Sequence, residues 1–213
     1  MFDNRIVWLF REPRSGSTWF SFYLANKLAR RWHMTDDKAL YEQENTELFQ
    51  KPKDERLVLS THSFEFLASM KNYDNPILIR CHRKNIFEQF LSTVVMEHTN
   101  FYNIVNDLGS EKFESLIQDL EKNQLHVKKS RIEDYITTKK NWNDCWNTHA
   151  ALYEHYDVCY EDLVDGCELF DFGKVTMINH TRSLPKNYKS RVFANYNEIK
   201  EWCDQLSKDN GLT

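Results

Sequence analysis

Five short apolar runs, each four or five residues long, limit what this chain can become: IVWLF at 6–10, LVLS at 57–60, PILIR at 76–80, DVCY at 157–160 and KVTMI at 174–178. Runs of that length, bounded by polar residues, read as short strands, and the most apolar of them as strands buried on both sides. Between them apolar residues recur at helical spacing. Over 84–97 the residues Ile86, Phe87, Phe90, Leu91, Val94 and Val95 make one apolar stripe, which puts Glu88, Gln89 and Ser92 on the polar side, with Gln89 and Ser92 turned away from the core. Further helices are expected over 19–28, 111–127, 195–206 and 132–156, the last buried through Ile132, Tyr135, Trp142, Trp146 and Tyr153. Residues 34–56 and 98–110 are the least periodic and are expected as loops or short helices. Strands alternating with helices imply an α/β fold, with a central, mostly parallel sheet flanked by helices.

With 213 residues, 41% of them hydrophobic, the chain can bury one sizeable core, and a single domain over 1–213 is expected. Five glycines, four prolines and no repeat argue against a linker or a solenoid. The five cysteines are odd in number and lack the paired spacing of a zinc or redox motif, so reduced, mostly buried thiols are expected. No run approaches the ~18 apolar residues of a membrane span, and the N-terminus does not read as a secretion signal, which places the protein in a cytoplasm. A formal charge of −4 argues against general nucleic-acid binding. It leaves room for a local basic pocket holding a small anion, and the densest basic cluster is Arg80, His82, Arg83 and Lys84.

The first strand-to-helix turn reads Pro13-Arg14-Ser15-Gly16-Ser17-Thr18-Trp19. In open parallel sheets that turn is the usual phosphate seat, because unpaired N–H groups at a helix N-terminus point outward and small residues let an anion approach. Ser17 and Thr18 add hydroxyl donors, and Arg14 adds a permanent charge. Such a stretch is also what a plain helix cap looks like, with Ser15 or Ser17 satisfying the helix and Arg14 solvated. The nucleotide loop G-x-x-x-x-G-K-[ST] is absent, since no glycine lies five positions before Gly16 and no lysine follows it.

Arg14-Ser15-Gly16-Ser17-Thr18-Trp19 resembles the phosphosulfate loop of the P-loop sulfotransferase family, [K/R]-S-G-[ST]-T-W. Three more segments are similar to that family in its order: Leu57 to His62, Ile77 to Asn85 with Gln89 and Ser92, and Asp157-Val158-Cys159-Tyr160-Glu161-Asp162-Leu163. The resemblance spans residues 6–163 and is closer to bacterial-type members than to the cytosolic branch, whose Arg-Lys-Gly element is missing. It implies a P-loop-type three-layer fold that binds 3′-phosphoadenosine 5′-phosphosulfate (PAPS) as co-substrate, releases 3′,5′-adenosine bisphosphate and needs no metal. It gives the 5′-phosphate to residues 14–18, puts Trp19 near the adenine, and gives the 3′-phosphate to Arg83 and Ser92, with Lys186 or Arg191 covering it. Arg80 is the alternative to Arg83, being nearer the apolar run.

In that reading Arg14 and the loop amides receive the charge that grows on the departing phosphate, and a base takes the proton of the acceptor. His62 is the first candidate, His180 the reserve, and Glu42, Glu44 or Glu47 would serve as in branches that use a carboxylate. The acceptor is a hydroxyl or amine on a small molecule, sugar or peptide; neither its identity nor the oligomeric state is legible. A divergent nucleotide or nucleoside kinase, and a silent module that binds adenosine bisphosphate, are the competing expectations.

Overall fold

The computed structural model describes residues 2, 5–28, 31–34, 57–61, 75–100, 107–177 and 187–212. Their elements run β1 (Val7–Arg11), α1 (Ser17–Lys27), β2 (Arg31–Met34), β3 (Leu57–Thr61), β4 (Ile77–His82), α2 (Ile86–Thr99), α3 (Asp107–Lys122), α4 (Lys129–Ala150), β5 (Glu154–Cys159), α5 (Tyr160–Asp165), β6 (Cys167–Glu168), β7 (Lys174–Val175), α6 (Tyr188–Val192) and α7 (Tyr196–Asp209). By its internal contacts the chain divides into two compact units, Met1–Lys84 with Trp142–Met177 and Asn85–Asn141 with Ile178–Thr213.

The first unit carries a five-stranded sheet in the order β2-β3-β1-β4-β5, and all of its pairings are parallel. Strand β1 lies at the middle, with Val7 opposite Val58 on one side and Ile77 on the other. Successive strand residues point to opposite faces, so a strand buried on both sides must be apolar throughout. Val7, Leu9, Val58, Ile77 and Ile79 pack with Phe20, Leu24 and Ala25 of α1, while Trp8, Phe10, Leu59 and Leu78 pack with Trp146 and Ala150 of α4. Helices thus cover both faces of the sheet. This is the α/β architecture with a central parallel sheet that the alternating runs imply.

The second unit has its own core. Phe90, Leu91, Val94 and Val95 of α2 pack with Ile117, Ile132, Ile136, Val192 and Ile199. Helix α2 starts where Asn85 accepts a hydrogen bond from the Glu88 N–H at 2.9 Å and stops at Asn100, whose φ of 52° is left-handed.

Four sequence expectations need correction. Arg31–Met34, partly inside the stretch expected as loop, is strand β2, parallel to β3. The helix expected to reach 156 ends at Ala150; a turn bonded from Tyr153 N–H to the Ala150 carbonyl (3.0 Å) leads into β5, which begins at Glu154. Lys174–Val175 does not join the sheet but pairs antiparallel with Cys167–Glu168, as a short connection requires. Gln89 does not face away from the core: it is fully buried and accepts a 3.0 Å hydrogen bond from Lys139 Nζ, itself buried.

All five cysteines are free thiols, and Cys81 and Cys203 are buried. Burial pushes the thiol of each up to about 12 from an ordinary value of 9.0. Below pH 9 folded and unfolded chains both hold these protons; between 9 and about 12 only the unfolded thiols ionise, so the folded state loses stability as pH rises through that window. Urea unfolding is therefore expected to show a lower midpoint at pH 10 than at pH 8, with a smaller drop in a Cys81→Ala, Cys203→Ala variant. Equal drops in the two proteins would contradict this.

Candidate functional site

Strands β1 and β4 are neighbours whose onward connections leave in opposite directions, through α1 to β2 at one edge and through α4 to β5 at the other. Crossovers of one hand that leave in opposite directions lie on opposite faces, as α1 and the end of α4 do, and in open parallel sheets ligands sit beyond the carboxyl ends of the strands at such a switch point. Residues 12–16 follow β1 there, and residues 83–85 follow β4.

The turn after β1 is fastened from within. The Glu12 N–H donates to the Cys81 carbonyl at 3.1 Å, and the Glu12 carbonyl accepts from both the N–H and the hydroxyl of Ser15, at 3.3 and 2.6 Å. The hydroxyl of Ser15 is thereby used by the turn itself. The thiol of Cys81 donates to the Ser15 carbonyl at 3.3 Å. Arg14 and Gly16 have φ values of 61° and 70°, and Gly16 stands at the N-cap of α1 without a side-chain cap. The first helical bond is Phe20 N–H to the Gly16 carbonyl at 3.2 Å, so the N–H groups of Ser17, Thr18 and Trp19 have no acceptor inside the helix. Ser17 is buried, whereas Arg14, Thr18 and Trp19 are half-buried, and Trp19 stacks on Tyr23 at 5.1 Å.

Glycine at 16 is required twice over. Its φ lies where side chains are strained, and a Cβ there would stand 2.8 Å from both Met177 Sδ and Tyr160 Cδ2. Gly16→Ala is expected to lower stability by about 1–3 kcal/mol, read as a shift in the urea midpoint. A neutral substitution would contradict both constraints.

A buried ion pair sits under the turn. Arg80 Nε donates to Glu12 Oε1 at 2.8 Å, and Arg80 Nη2 bonds the same oxygen and Asn143 Oδ1; the Glu12 side chain is 0% exposed. Arg80 is thus committed to Glu12. Arg83 lies with its guanidinium carbon 4.4 Å above the Tyr160 ring, the ring that faces Gly16, and its Nε is 3.4 Å from Glu161 Oε1. Lys84 pairs with Asp162 at 3.1 Å.

In the second unit, Lys189 Nζ reaches Ser92 Oγ at 2.7 Å and Glu88 Oε2 at 2.6 Å. Arg191 instead pairs with Glu121 at 2.9 Å and is half exposed. From the sequence, Lys186 and Arg191 are the basic residues named here, and Lys189 between them is passed over. The i, i+3 spacing of Lys189 and Val192, both buried on α6, is the signal that distinguishes it from Arg191. Tyr160, which joins Gly16 to Arg83, was legible only as part of a motif.

His62, His180, Lys186, Glu42, Glu44 and Glu47 lie outside the described residues. Among the described residues no group of three or more His, Cys, Asp or Glu side chains is placed to hold a metal ion, and no helix is long and apolar enough to cross a membrane. Comparison with protein-family models, with curated proteins and with solved structures finds no match.

Proposed function

We propose that the chain is a P-loop-type sulfotransferase that moves a sulfonate from PAPS to a hydroxyl or amine of an acceptor. The observation that carries this reading is the N-terminus of α1, which lacks a side-chain cap, follows the central strand at the switch point of the sheet, and has Gly16 at φ 70°. The donor set suits an anion: the N–H groups of Ser17, Thr18 and Trp19, the Thr18 hydroxyl, and the half-buried Arg14. The one carboxylate in the turn, Glu12, is matched by Arg80. Arg83, following the adjacent strand, is the cation for the 3′-phosphate.

PAPS supplies the sulfonate and a phosphate leaving group. The bond between sulfur and the 5′-phosphate oxygen breaks with its electron pair left on that oxygen, and a bond forms from sulfur to the acceptor. Arg14 and the helix amides stabilise the charge left behind, fixed in place beforehand and so costing little reorganisation. Arginine keeps its proton, which suits a leaving group that needs charge more than protonation. His62 takes the acceptor's proton.

Calorimetric titration with 3′,5′-adenosine bisphosphate and with Mg-ATP tests the nucleotide. Binding of the bisphosphate in preference to ATP is expected, and preference for ATP would overturn the assignment in favour of a kinase. A transfer assay with isotopically labelled PAPS and a mixed acceptor set, read by mass, tests the reaction and separates it from silent nucleotide binding.

A further inference from the structure

The Nε of Arg83 lies at ion-pair distance from a neighbouring carboxylate, without hydrogen-bonding it, and the other oxygen of that carboxylate is already bonded. Glu161 Oε2 accepts the Lys84 backbone N–H at 3.0 Å and the Cys159 thiol at 2.9 Å, while Oε1 approaches Arg83 at Nε, 3.4 Å away. The Tyr160 ring lies beneath the guanidinium at 4.4 Å. Acidic residues in the first turn of α5 are explained in general by the helix dipole. The dipole does not account for where the two acids go: Asp162 takes the Lys84 ammonium, at 3.1 and 3.2 Å, and leaves Glu161 to the Lys84 amide, the thiol and Arg83.

We infer that Glu161 is a positioning residue for Arg83: with Tyr160 it fixes the plane of the guanidinium, so that Arg83 meets a 3′-phosphate without first losing side-chain freedom. The inference rests on the reading of Arg83 as the 3′-phosphate cation. A flexible arginine is ordered at the moment of binding, and a guanidinium already placed by a ring beneath it and a carboxylate beside it avoids part of that cost. The carboxylate does not have to leave for this, because the amide and the thiol anchor its other oxygen and its closest approach to Arg83 is at Nε, next to the chain. Glu161 therefore contributes to discrimination between nucleotides with and without a 3′-phosphate, while touching neither.

The test is a double-mutant cycle with two probes, 3′,5′-adenosine bisphosphate and adenosine 5′-phosphate, titrated into the full chain. Wild type is expected to prefer the bisphosphate. Glu161→Ala is expected to cut that preference about tenfold and to leave affinity for the monophosphate within about twofold, and Glu161→Gln, which keeps an acceptor oxygen, to restore part of it. Arg83→Ala should cut the preference as well, and adding Glu161→Ala to it should change nothing more. Equal weakening of both probes would make Glu161 merely structural, tighter bisphosphate binding in Glu161→Ala would make it a competitor for Arg83, and additive effects would uncouple the two; each overturns the inference. A wild type that does not distinguish the probes removes the role of Arg83 itself, and with it this one. Should Glu161→Ala not fold, Glu161→Gln and Arg83→Ala carry the comparison.

Discussion

Arg80→Ala is expected to lower the unfolding free energy by about 3–5 kcal/mol, because it takes the guanidinium away from a carboxylate that is fully buried. The pair is bonded twice through one oxygen, Glu12 Oε1, and Asn143 meets Arg80 as well, so the loss includes hydrogen bonds along with charge. Replacing both partners is a different experiment. A Glu12→Gln, Arg80→Met variant removes the charges together and is expected to recover most of the loss, since a buried ion pair repays its own desolvation only narrowly. Urea unfolding of the three proteins measures both effects. An Arg80→Ala cost below about 1 kcal/mol would place the pair with solvated surface bridges, against its burial.

On the proposed sulfotransferase reading, the largest expected effect on activity is at His62. Sulfonate transfer by His62→Ala should fall by about 10²–10⁴-fold, the usual worth of a positioned base, while 3′,5′-adenosine bisphosphate binds within about twofold of wild type. Imidazole suits the role because its ordinary pKa lies closest to neutral. Its place in the chain also suits: β3 ends at Thr61, the register partner of Phe10, just before the turn that follows β1. Steady-state transfer rates, with calorimetry on the same preparation, separate loss of chemistry from loss of binding. A variant that keeps its rate would move the role to His180 or to Glu42, Glu44 or Glu47.

Much of the first unit was legible because its signals are local. Val7 to Phe10 and Ile77 to Ile79 are apolar without a break, since both faces of those strands are covered. The stripe on α2 could be read for the same reason. Gln89 escaped because its partner, Lys139, lies on another helix, and no spacing within α2 announces a buried polar pair. The spacing of Trp142, Trp146 and Tyr153 carries the helical pattern past Ala150, so the first residues of β5, Glu154 to Tyr156, read as helix while DVCY at 157–160 reads as strand. As an edge strand, β5 leaves Glu154, His155 and Asp157 partly or fully exposed and so carries a weak strand signature. In the candidate site the loop was legible as a motif, whereas the Glu12–Arg80 pair and the Glu161–Arg83 contact depend on residues brought together only by the fold.

The order of the strands also bears on how the chain reaches its native state. No two strands of the main sheet are joined by a hairpin: Val7 must find Val58 and Ile77, and Ile77 must find Glu154, with helices made in between. Each pairing closes a long loop before it is rewarded, which slows assembly and exposes the most apolar strands in transit. Refolding should therefore be sensitive to protein concentration, with self-association of the β1 and β4 segments competing with the correct pairing.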